Sequence, residues 1–326
     1  SVGVEQSLLG DGADAFEQEI NADYDKVRQQ HANKKQTPLW PLAKIRANKT
    51  TVDWANYQPP VPRALGRRVF KNFDLAELVP FVDWGPFFQT WDLAGPYPAI
   101  LTDEVVGVEA TRVFADAQAM LKKIVDGRWL SASGVLGLYP ANSVGDDIEF
   151  YTDDTRSEVA MTWYGLRQQT EKHTVEGITR PSRCLADFVA PKDSGIADFA
   201  GMFAVTAGLG MEKKEQAFID ALDDYSSILF KSLGDRLAEA FAECLHQRVR
   251  TDLWGYAADE ALSSSELIAE KYHGIRPAPG YPACPDHSAK HDLFALLQCH
   301  AIGMSLIESL VLNPAASASG FYIGHP

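Results

Sequence analysis

Apolar residues recur at intervals of three and four over several long stretches of the chain, a spacing typical of amphipathic helices. The clearest stretches are 111–126 and 212–250, and the second is the longest helical tract in the sequence. The same spacing predicts a last helix over about 291–311. Residues 74–79 predict a short helix that has Asp74 at its start.

Short runs of β-branched, aromatic and apolar residues predict strands at 135–139, 148–151, 185–189 and 199–206. The first two runs flank a turn region that contains Pro140 and Gly145, and together they predict a hairpin. Helical segments precede and follow the strands without βαβ alternation. This order favours an α+β fold with an antiparallel sheet over a doubly wound fold.

The N-terminal part of the chain differs from the rest in its pattern. A helical spacing over 12–32 is followed by a proline-rich stretch, 33–63, that has little periodicity. Such a stretch predicts an extended arm on a surface. We therefore expect a linker helix and a wrapping arm over 1–66 and a compact domain over 67–326.

Composition narrows the classes of partner. The chain has 326 residues and a formal net charge of −14, which makes it a poor non-specific binder of nucleic acid or of anionic membranes. It contains no run of 18 apolar residues and no N-terminal signal sequence. The four cysteines are few and unclustered, as in reduced cytosolic proteins. We expect a cytoplasmic protein without a nucleic-acid or membrane partner.

Most familiar catalytic motifs are missing from the sequence. No Gly-x-Gly-x-x-Gly follows a predicted strand, and neither a P-loop nor a Gly-x-Ser-x-Gly elbow occurs. Cys284, His287 and His291 have spacings of three and four, which leaves a zinc site as one interpretation. In the other interpretation, Cys284 is a small apolar side chain packed between prolines. The sequence favours the second, because the usual set of zinc ligands is incomplete.

The most distinctive stretch is 272–287, which holds four prolines together with Gly280, Arg276 and Tyr281. Proline fixes φ and lacks a backbone donor, so the stretch predicts a stiff, extended loop. One interpretation is a rigid strap whose arginine makes an ordinary ion pair. The other is a preformed site in which the guanidinium and the phenol meet a ligand that carries a carboxylate or a phosphate.

Two acidic residues also have two interpretations each. Asp83 lies among aromatic residues just before Gly85, where it could cap the backbone or accept a hydrogen bond from a ligand. Glu239 shares a face of the predicted long helix with Asp235, four residues earlier. That face could be solvated, or it could adjoin a cation that relieves the repulsion between the two acids.

Residues 276–287, with the sequence RPAPGYPACPDH, resemble the signature loop of a known domain family. This family is the C-terminal, S-adenosylmethionine-binding activation (reactivation) domain of cobalamin-dependent methionine synthase. Further stretches resemble the family in the same order, namely FVDWGPFF at 81–88, LRQQTEK at 166–172, CLADFVAPKDSG at 184–195, DRLAEAFAE at 235–243, WGY at 254–256 and the residues from 319 to His325-Pro326. The resemblance therefore covers nearly the whole chain.

The resemblance implies a C-shaped α+β fold around a twisted antiparallel sheet with inserted and flanking helices. It implies that the chain binds S-adenosylmethionine and presents its methyl group for reductive remethylation of cob(II)alamin. By the same resemblance, a different domain of the parent enzyme, the cobalamin-binding domain, is expected to hold the cobalamin, and flavodoxin or a flavoprotein reductase is expected to supply the electron. The resemblance also implies that the parent is a 5-methyltetrahydrofolate-homocysteine methyltransferase of methionine biosynthesis, and we expect no turnover by this part alone.

The resemblance also implies the binding residues. Arg276 is expected to hold the carboxylate of the ligand, and Tyr281 and the backbone near Ala283 are expected to line the pocket. The acids Asp83, Glu239 and Glu270 suit its ammonium group, its sulfonium group or a ribose hydroxyl. No catalytic side chain and no metal site are expected. An alternative function is a docking module for the flavoprotein and the cobalamin domain, with little ligand affinity of its own.

The two ends of the sequence carry a further expectation. Residues 2–9 resemble the linker that leaves the cobalamin-binding module of the family. Family members continue past the His-Pro pair to two aromatic residues that contribute to the ligand site, whereas this sequence ends at Pro326. We therefore expect a C-terminal fragment whose tail is truncated.

Overall fold

The computed structural model of the chain describes residues 2–10, 12–32, 37–175 and 177–325. Residues 33–36 of the predicted arm and Pro326 of the last motif lie outside these described residues. The chain forms two compact units, a smaller one from 1–48 and 169–182 and a larger one from 49–168 and 183–326.

The helices are α1 (Val2–Leu9), α2 (Ala13–Ala32), α3 (Leu42–Ala47), α4 (Leu75–Leu78), α5 (Gly85–Thr90), α6 (Gly107–Asp126), α7 (Met211–Asp220), α8 (Asp224–Arg248), α9 (Ser264–Ile268) and α10 (Ala289–Leu297). The strands are β1 (Gly66–Phe73), β2 (Ser131–Val144), β3 (Asp147–Tyr151), β4 (Val159–Trp163), β5 (Thr174–Val175), β6 (Ile178–Thr179), β7 (Asp198–Leu209), β8 (Ser305–Leu306), β9 (Leu312–Asn313) and β10 (Ser317–Tyr322). This mixture of helices and antiparallel strands confirms the predicted α+β class.

The smaller unit contains α1 to α3 and the β5–β6 hairpin. Its two chain segments are joined through backbone bonds, since the Trp40 amide donates to the Gln169 carbonyl at 2.9 Å. The Asn48 side chain donates to the Arg180 carbonyl at 2.9 Å. Helix α2 agrees with the helix predicted over 12–32, whereas the predicted arm contains the short helix α3.

A six-stranded antiparallel sheet forms the centre of the described part of the larger unit. Its order is β10-β7-β2-β3-β4, and β1 also pairs with β2. The β2–β7 pairing is the longest, running from Ser131–Leu209 to Ala141–Asp198. The predicted hairpin is confirmed as β2–β3, with its turn at Gly145.

Pro140 lies inside β2 and not in the turn, where the sequence pattern had placed it. It pairs with Phe199 of β7 on one side. On the other side, β1 pairs with β2 as far as Leu138, and β3 begins to pair at Ala141. Because the proline lies where the neighbouring strand changes, its missing N–H removes no bond from the ladder on that side.

Both faces of the sheet are covered, as the alternation of side chains along β2 demonstrates. Leu136 and Leu138 join one buried cluster with helices α6 and α8. Val135 and Tyr139 point to the opposite face and join a second cluster with α10. This period of two is the expected geometry of a strand buried on both sides.

Three of the predicted elements differ from the structure. Residues 185–189 do not form a strand, because 185–188 form a short 3₁₀ helix. The last helix ends at Leu297, well before 311, and Gln298 follows in the left-handed region at φ 51°. The long tract 212–250 is interrupted between α7 and α8, where Leu222 has φ 55°.

None of the helices in the described residues has the length and apolar character needed to span a membrane. All four cysteines are buried and free of disulfide bonds.

Candidate functional site

The proline-rich loop, residues 272–287, lies along the free edge of β10. Ile275 and Ile323 form a two-way backbone bridge, with N···O distances of 2.9 and 3.1 Å. The Phe321 amide donates to the Pro277 carbonyl at 2.9 Å. Pairing stops there because the prolines that follow cannot donate to a ladder. The loop is therefore fixed to the sheet on both sides of Arg276, at Ile275 and at Pro277, and departs from it after Pro277.

A tight turn follows at the tip of the loop. The Gly280 amide donates to the Cys284 carbonyl at 2.8 Å, and the Cys284 amide donates to the Tyr281 carbonyl at 2.9 Å. Gly280 has φ 102°, and a Cβ there would overlap the ring of His287. The Nζ atom of buried Lys290 lies 3.0 Å from His287 Nδ1. The shape of the turn thus requires glycine and depends on packing from the start of α10.

Helix α8 supplies the acidic wall opposite the loop. Glu239 and Glu243 lie one turn apart on the same face of α8, and the helix packs against β7 and β10. Arg276 Nη2 donates to Glu243 Oε2 at 2.7 Å. The side chains of this pair are 18% and 13% exposed, respectively. The guanidinium is therefore held in an ion pair while part of it remains accessible.

A second arginine lies behind this pair. Arg250, in the π-helical turn that extends α8, is fully buried. It makes two hydrogen bonds to Glu260, of 2.7 and 2.8 Å. Its Nη1 atom is 3.7 Å from Glu243 Oε1, which is close for an ion pair but too long for a hydrogen bond. Arg276, Glu243, Arg250 and Glu260 therefore form a series of side chains with alternating charge.

Arg276 also lines a cavity of about 390 Å³, which we call the acidic cavity. Its wall includes the ionisable side chains Asp83, Arg236, Glu239, Glu243, Glu270, Arg276 and Tyr281. A neighbouring cavity, also of about 390 Å³, shares Glu239, Arg276 and Tyr281 and lies against the proline-rich loop. Both volumes fall within the range of small-molecule pockets, roughly 300–1,000 Å³.

The backbone positions each acid differently. Asp83 Oδ1 accepts a hydrogen bond from the Gly85 amide at 2.9 Å, so the carboxylate caps the start of α5 while it lines the cavity. Glu270 follows α9 in the left-handed region at φ 52° and is exposed. Glu239 is exposed on α8. Of these three described acids, only Asp83 therefore has a side chain that is restrained by a hydrogen bond to the backbone.

Burial and charge shift the pKa values of the central groups. Burial is the largest single influence on the pKa of Arg276 and lowers it, but the charge of Glu243 together with Tyr272, Tyr322 and Glu239 outweighs burial, so the pKa stands above its ordinary value. Burial raises the pKa of Glu243, and the charges of Arg276 and Arg250 oppose the rise without cancelling it. Burial and both arginines lower the pKa of His246 well below its usual value, so this ring is neutral.

Five of the six residues proposed from the sequence line the acidic cavity: Asp83, Glu239, Glu270, Arg276 and Tyr281. Ala283 does not line it. This residue is exposed in the turn between Tyr281 and Cys284. Arg276 combines both interpretations offered by the sequence, because it makes an internal ion pair and also faces a cavity.

Sequence reasoning missed Glu243, the direct partner of Arg276. Its spacing of four from Glu239 did place it on the same helical face, and that was the available signal. It also missed Lys290, which lines the neighbouring cavity against the proline-rich loop although it is only 7% exposed. In the described part of the chain, no three His, Cys, Asp or Glu side chains are grouped so that they could hold a metal ion.

Comparisons with known proteins agree on one family. The family model described as vitamin B12 dependent methionine synthase, activation domain, matches residues 74–326, which is more than half of the chain. Among solved structures, the chain is similar to a crystal structure of the MetH reactivation domain bound to AdoHcy. The two are 52% identical with a TM-score of 0.84, and the match covers 89% of this chain and 88% of that one.

Proposed function

The chain belongs to the activation-domain family of vitamin B12-dependent methionine synthase, and on that premise we propose that its acidic cavity binds S-adenosylmethionine. The similar reactivation domain was crystallised with AdoHcy, the demethylated form of this ligand. As an activation domain, the chain is a part of a methyltransferase whose cobalamin is held by another domain.

The residues present fit such a ligand. The ligand carries a carboxylate, an ammonium group and a sulfonium group, so it needs one cation and several anions at short range. The acidic cavity places Arg276 beside Asp83, Glu239 and Glu270. The single observation that carries the proposal is that the partly accessible guanidinium of Arg276 and these three acids surround one volume, whose wall also includes Arg236 and Glu243.

Arg276 holds the carboxylate through charge-assisted hydrogen bonds, for which a planar guanidinium is well suited. The three acids orient the positively charged end. S-adenosylmethionine supplies the methyl group that is transferred to cobalamin. The contribution of this chain is alignment of that group, since correct positioning can lower a barrier by roughly 7–11 kcal/mol at best. We propose no catalytic side chain.

Replacement of Arg276 tests the proposal directly. We expect Arg276→Ala to weaken binding of S-adenosylmethionine by about 1.5–3 kcal/mol, the range for a hydrogen bond to a charged group. Isothermal titration calorimetry measures the change. Arg68→Ala is the matched control, since Arg68 is exposed on β1 and lines neither cavity. Equal affinities of the two variants would remove Arg276 from the site, and a thermal melt checks that both are folded.

We also propose that flavodoxin or a flavoprotein reductase docks on this domain in the cytoplasm. Family membership supports the donor, and four free, buried thiols fit a reducing compartment. Titration with flavodoxin at low and high salt tests the docking, which should weaken as salt rises if it is electrostatic. Salt-sensitive docking without any binding of S-adenosylmethionine would favour the alternative of a pure docking module.

A further inference from the structure

The carboxylate of Glu243 lies between Arg276 and Arg250 and, of the two, is hydrogen-bonded only to Arg276. Its Oε2 atom accepts from Arg276 at 2.7 Å. Its Oε1 atom is buried and has no hydrogen-bond partner among the described residues. The side chain is therefore held toward Arg276, the residue that faces the cavity, and away from Arg250.

Arg250 has a hydrogen-bond donor that lacks a partner in the described structure and could pair with Oε1 of Glu243. Glu260 occupies its Nε and Nη2 atoms, while buried Nη1 has no hydrogen-bond partner within the described part of the chain. This free N–H donor and the free Oε1 acceptor of Glu243 are 3.7 Å apart. A buried polar atom without a partner is costly, and two such atoms facing each other across a short gap could satisfy each other.

Arg250 is fixed more firmly than Glu243. Glu260 holds its guanidinium in a bidentate ion pair, and the ring of Tyr272 lies 4.1 Å from its carbon Cζ. The whole side chain is buried. Closing the 3.7 Å gap to hydrogen-bond length would therefore require a movement of Glu243, not of Arg250.

We propose that Glu243 is a carboxylate exchange partner for Arg276, which it holds in the free protein and leaves for Arg250 Nη1 when a ligand carboxylate takes its place. This inference rests on the proposed function, because it needs a carboxylate-bearing ligand at Arg276. Two carboxylates at one guanidinium would repel each other. Transfer of Glu243 to Arg250 removes that repulsion and fills both vacant hydrogen-bonding positions.

The exchange makes Glu243 a competitor of the ligand carboxylate. Glu243→Gln keeps the shape of the side chain but removes the charge that competes. We expect it to tighten binding of AdoHcy about three- to tenfold, a gain of the size of one partly exposed ion pair. AdoHcy is the probe because it carries the carboxylate without a sulfonium charge. Binding of 5′-methylthioadenosine, which lacks the amino-acid part, should stay unchanged.

Calorimetry with both ligands separates the outcomes. Weaker AdoHcy binding would show that Glu243 only positions Arg276, and an equal change for both ligands would show a general structural effect. Either result would overturn the exchange. If wild-type protein binds AdoHcy but Arg276→Ala binds it equally well, the proposed function fails, which is a different result.

A second measurement decides the matter if Glu243→Gln does not fold. In crystals of the unsubstituted chain with and without AdoHcy, the distance from Glu243 Oε1 to Arg250 Nη1 should shorten from 3.7 Å to about 2.9 Å when the ligand is bound. A bound ligand with Glu243 still on Arg276 and the 3.7 Å gap unchanged would refute the exchange.

Discussion

Asp198 makes a contribution to the free energy of unfolding that decreases as the pH rises, which is the opposite of the usual behaviour of an aspartate. It is 5% exposed at the start of β7. Burial raises the pKa of its carboxyl group from 3.8 to about 6, although hydrogen bonds from the Ala190 and Phe199 amides and the charge of Arg156 oppose the rise. Each of the two amides donates to a separate carboxylate oxygen at 2.7 Å. We predict that replacement of Asp198 by asparagine removes this titration.

The sign follows from the raised pKa. The fold favours the neutral carboxyl, so the contribution of Asp198 to stability is complete below pH 3.8 and is lost as the pH rises through about 6. A rise of about 2 units corresponds to about 3 kcal/mol. The linkage relation places about 1.4 kcal/mol of that loss between about pH 5 and 7.5.

Urea unfolding followed by tryptophan fluorescence measures this loss. The free energy of unfolding of the wild type, minus that of Asp198→Asn, should fall by about 1.4 kcal/mol from about pH 5 to 7.5. Asp223→Asn is the control. The Ser226 amide lowers the pKa of the Asp223 cap, so its contribution is lost only at acid pH and its difference should be constant over this range. A constant or rising difference for Asp198 would refute the reasoning.

Two further substitutions test the fold and the loop. Arg167→Met should lower the free energy of unfolding by about 3–5 kcal/mol, because it leaves the buried carboxylate of Asp187 without its charged partner. In the unsubstituted protein, Asp187 accepts two hydrogen bonds from Arg167, of 2.6 and 2.7 Å. A loss below about 1 kcal/mol in urea unfolding would contradict this prediction. Gly280→Ala should weaken AdoHcy binding at least about tenfold in calorimetry, because φ is 102° and the new Cβ would overlap His287. Gly145→Ala, at φ 66° with open space around it, is the control, and equal affinities would mean that the loop shape is irrelevant to binding.

The parts of the fold that the sequence predicts are those in which one local signal decides. Helix α6 has a sustained apolar stripe, and α4 has Asp74 as a cap whose side chain accepts from the Ala76 amide. Strand β7 is a long run of small and apolar residues. In each case, neighbouring residues in the sequence are also the ones that determine the conformation.

The failures occur where distant residues decide. Residues 185–188 are apolar enough for a strand, but the Asp187 side chain bonds both the Cys184 amide and buried Arg167, and this fixes a 3₁₀ turn. The helix predicted to reach 311 ends at Leu297, and Gln298 follows it with a positive φ. Arg67, in β1, donates to the Leu297 carbonyl at 2.6 Å, a contact between residues 230 positions apart. No local pattern contains such contacts.

The same distinction explains the site. Arg276 is recognisable because the prolines around it predict a fixed loop, and that inference needs only local residues. Its partner Glu243 lies 33 residues earlier in the sequence. The two meet because the loop is bonded to β10 while α8 packs on the same strand. Which acid of α8 reaches the guanidinium is thus set by the register between helix and sheet, and sequence spacing cannot choose between Glu239 and Glu243. The approach of Arg250 to Glu243 could not be predicted from the sequence for a similar reason. Arg250 lies in the π-helical turn, and this turn changes the angular spacing that an α-helical pattern would assume.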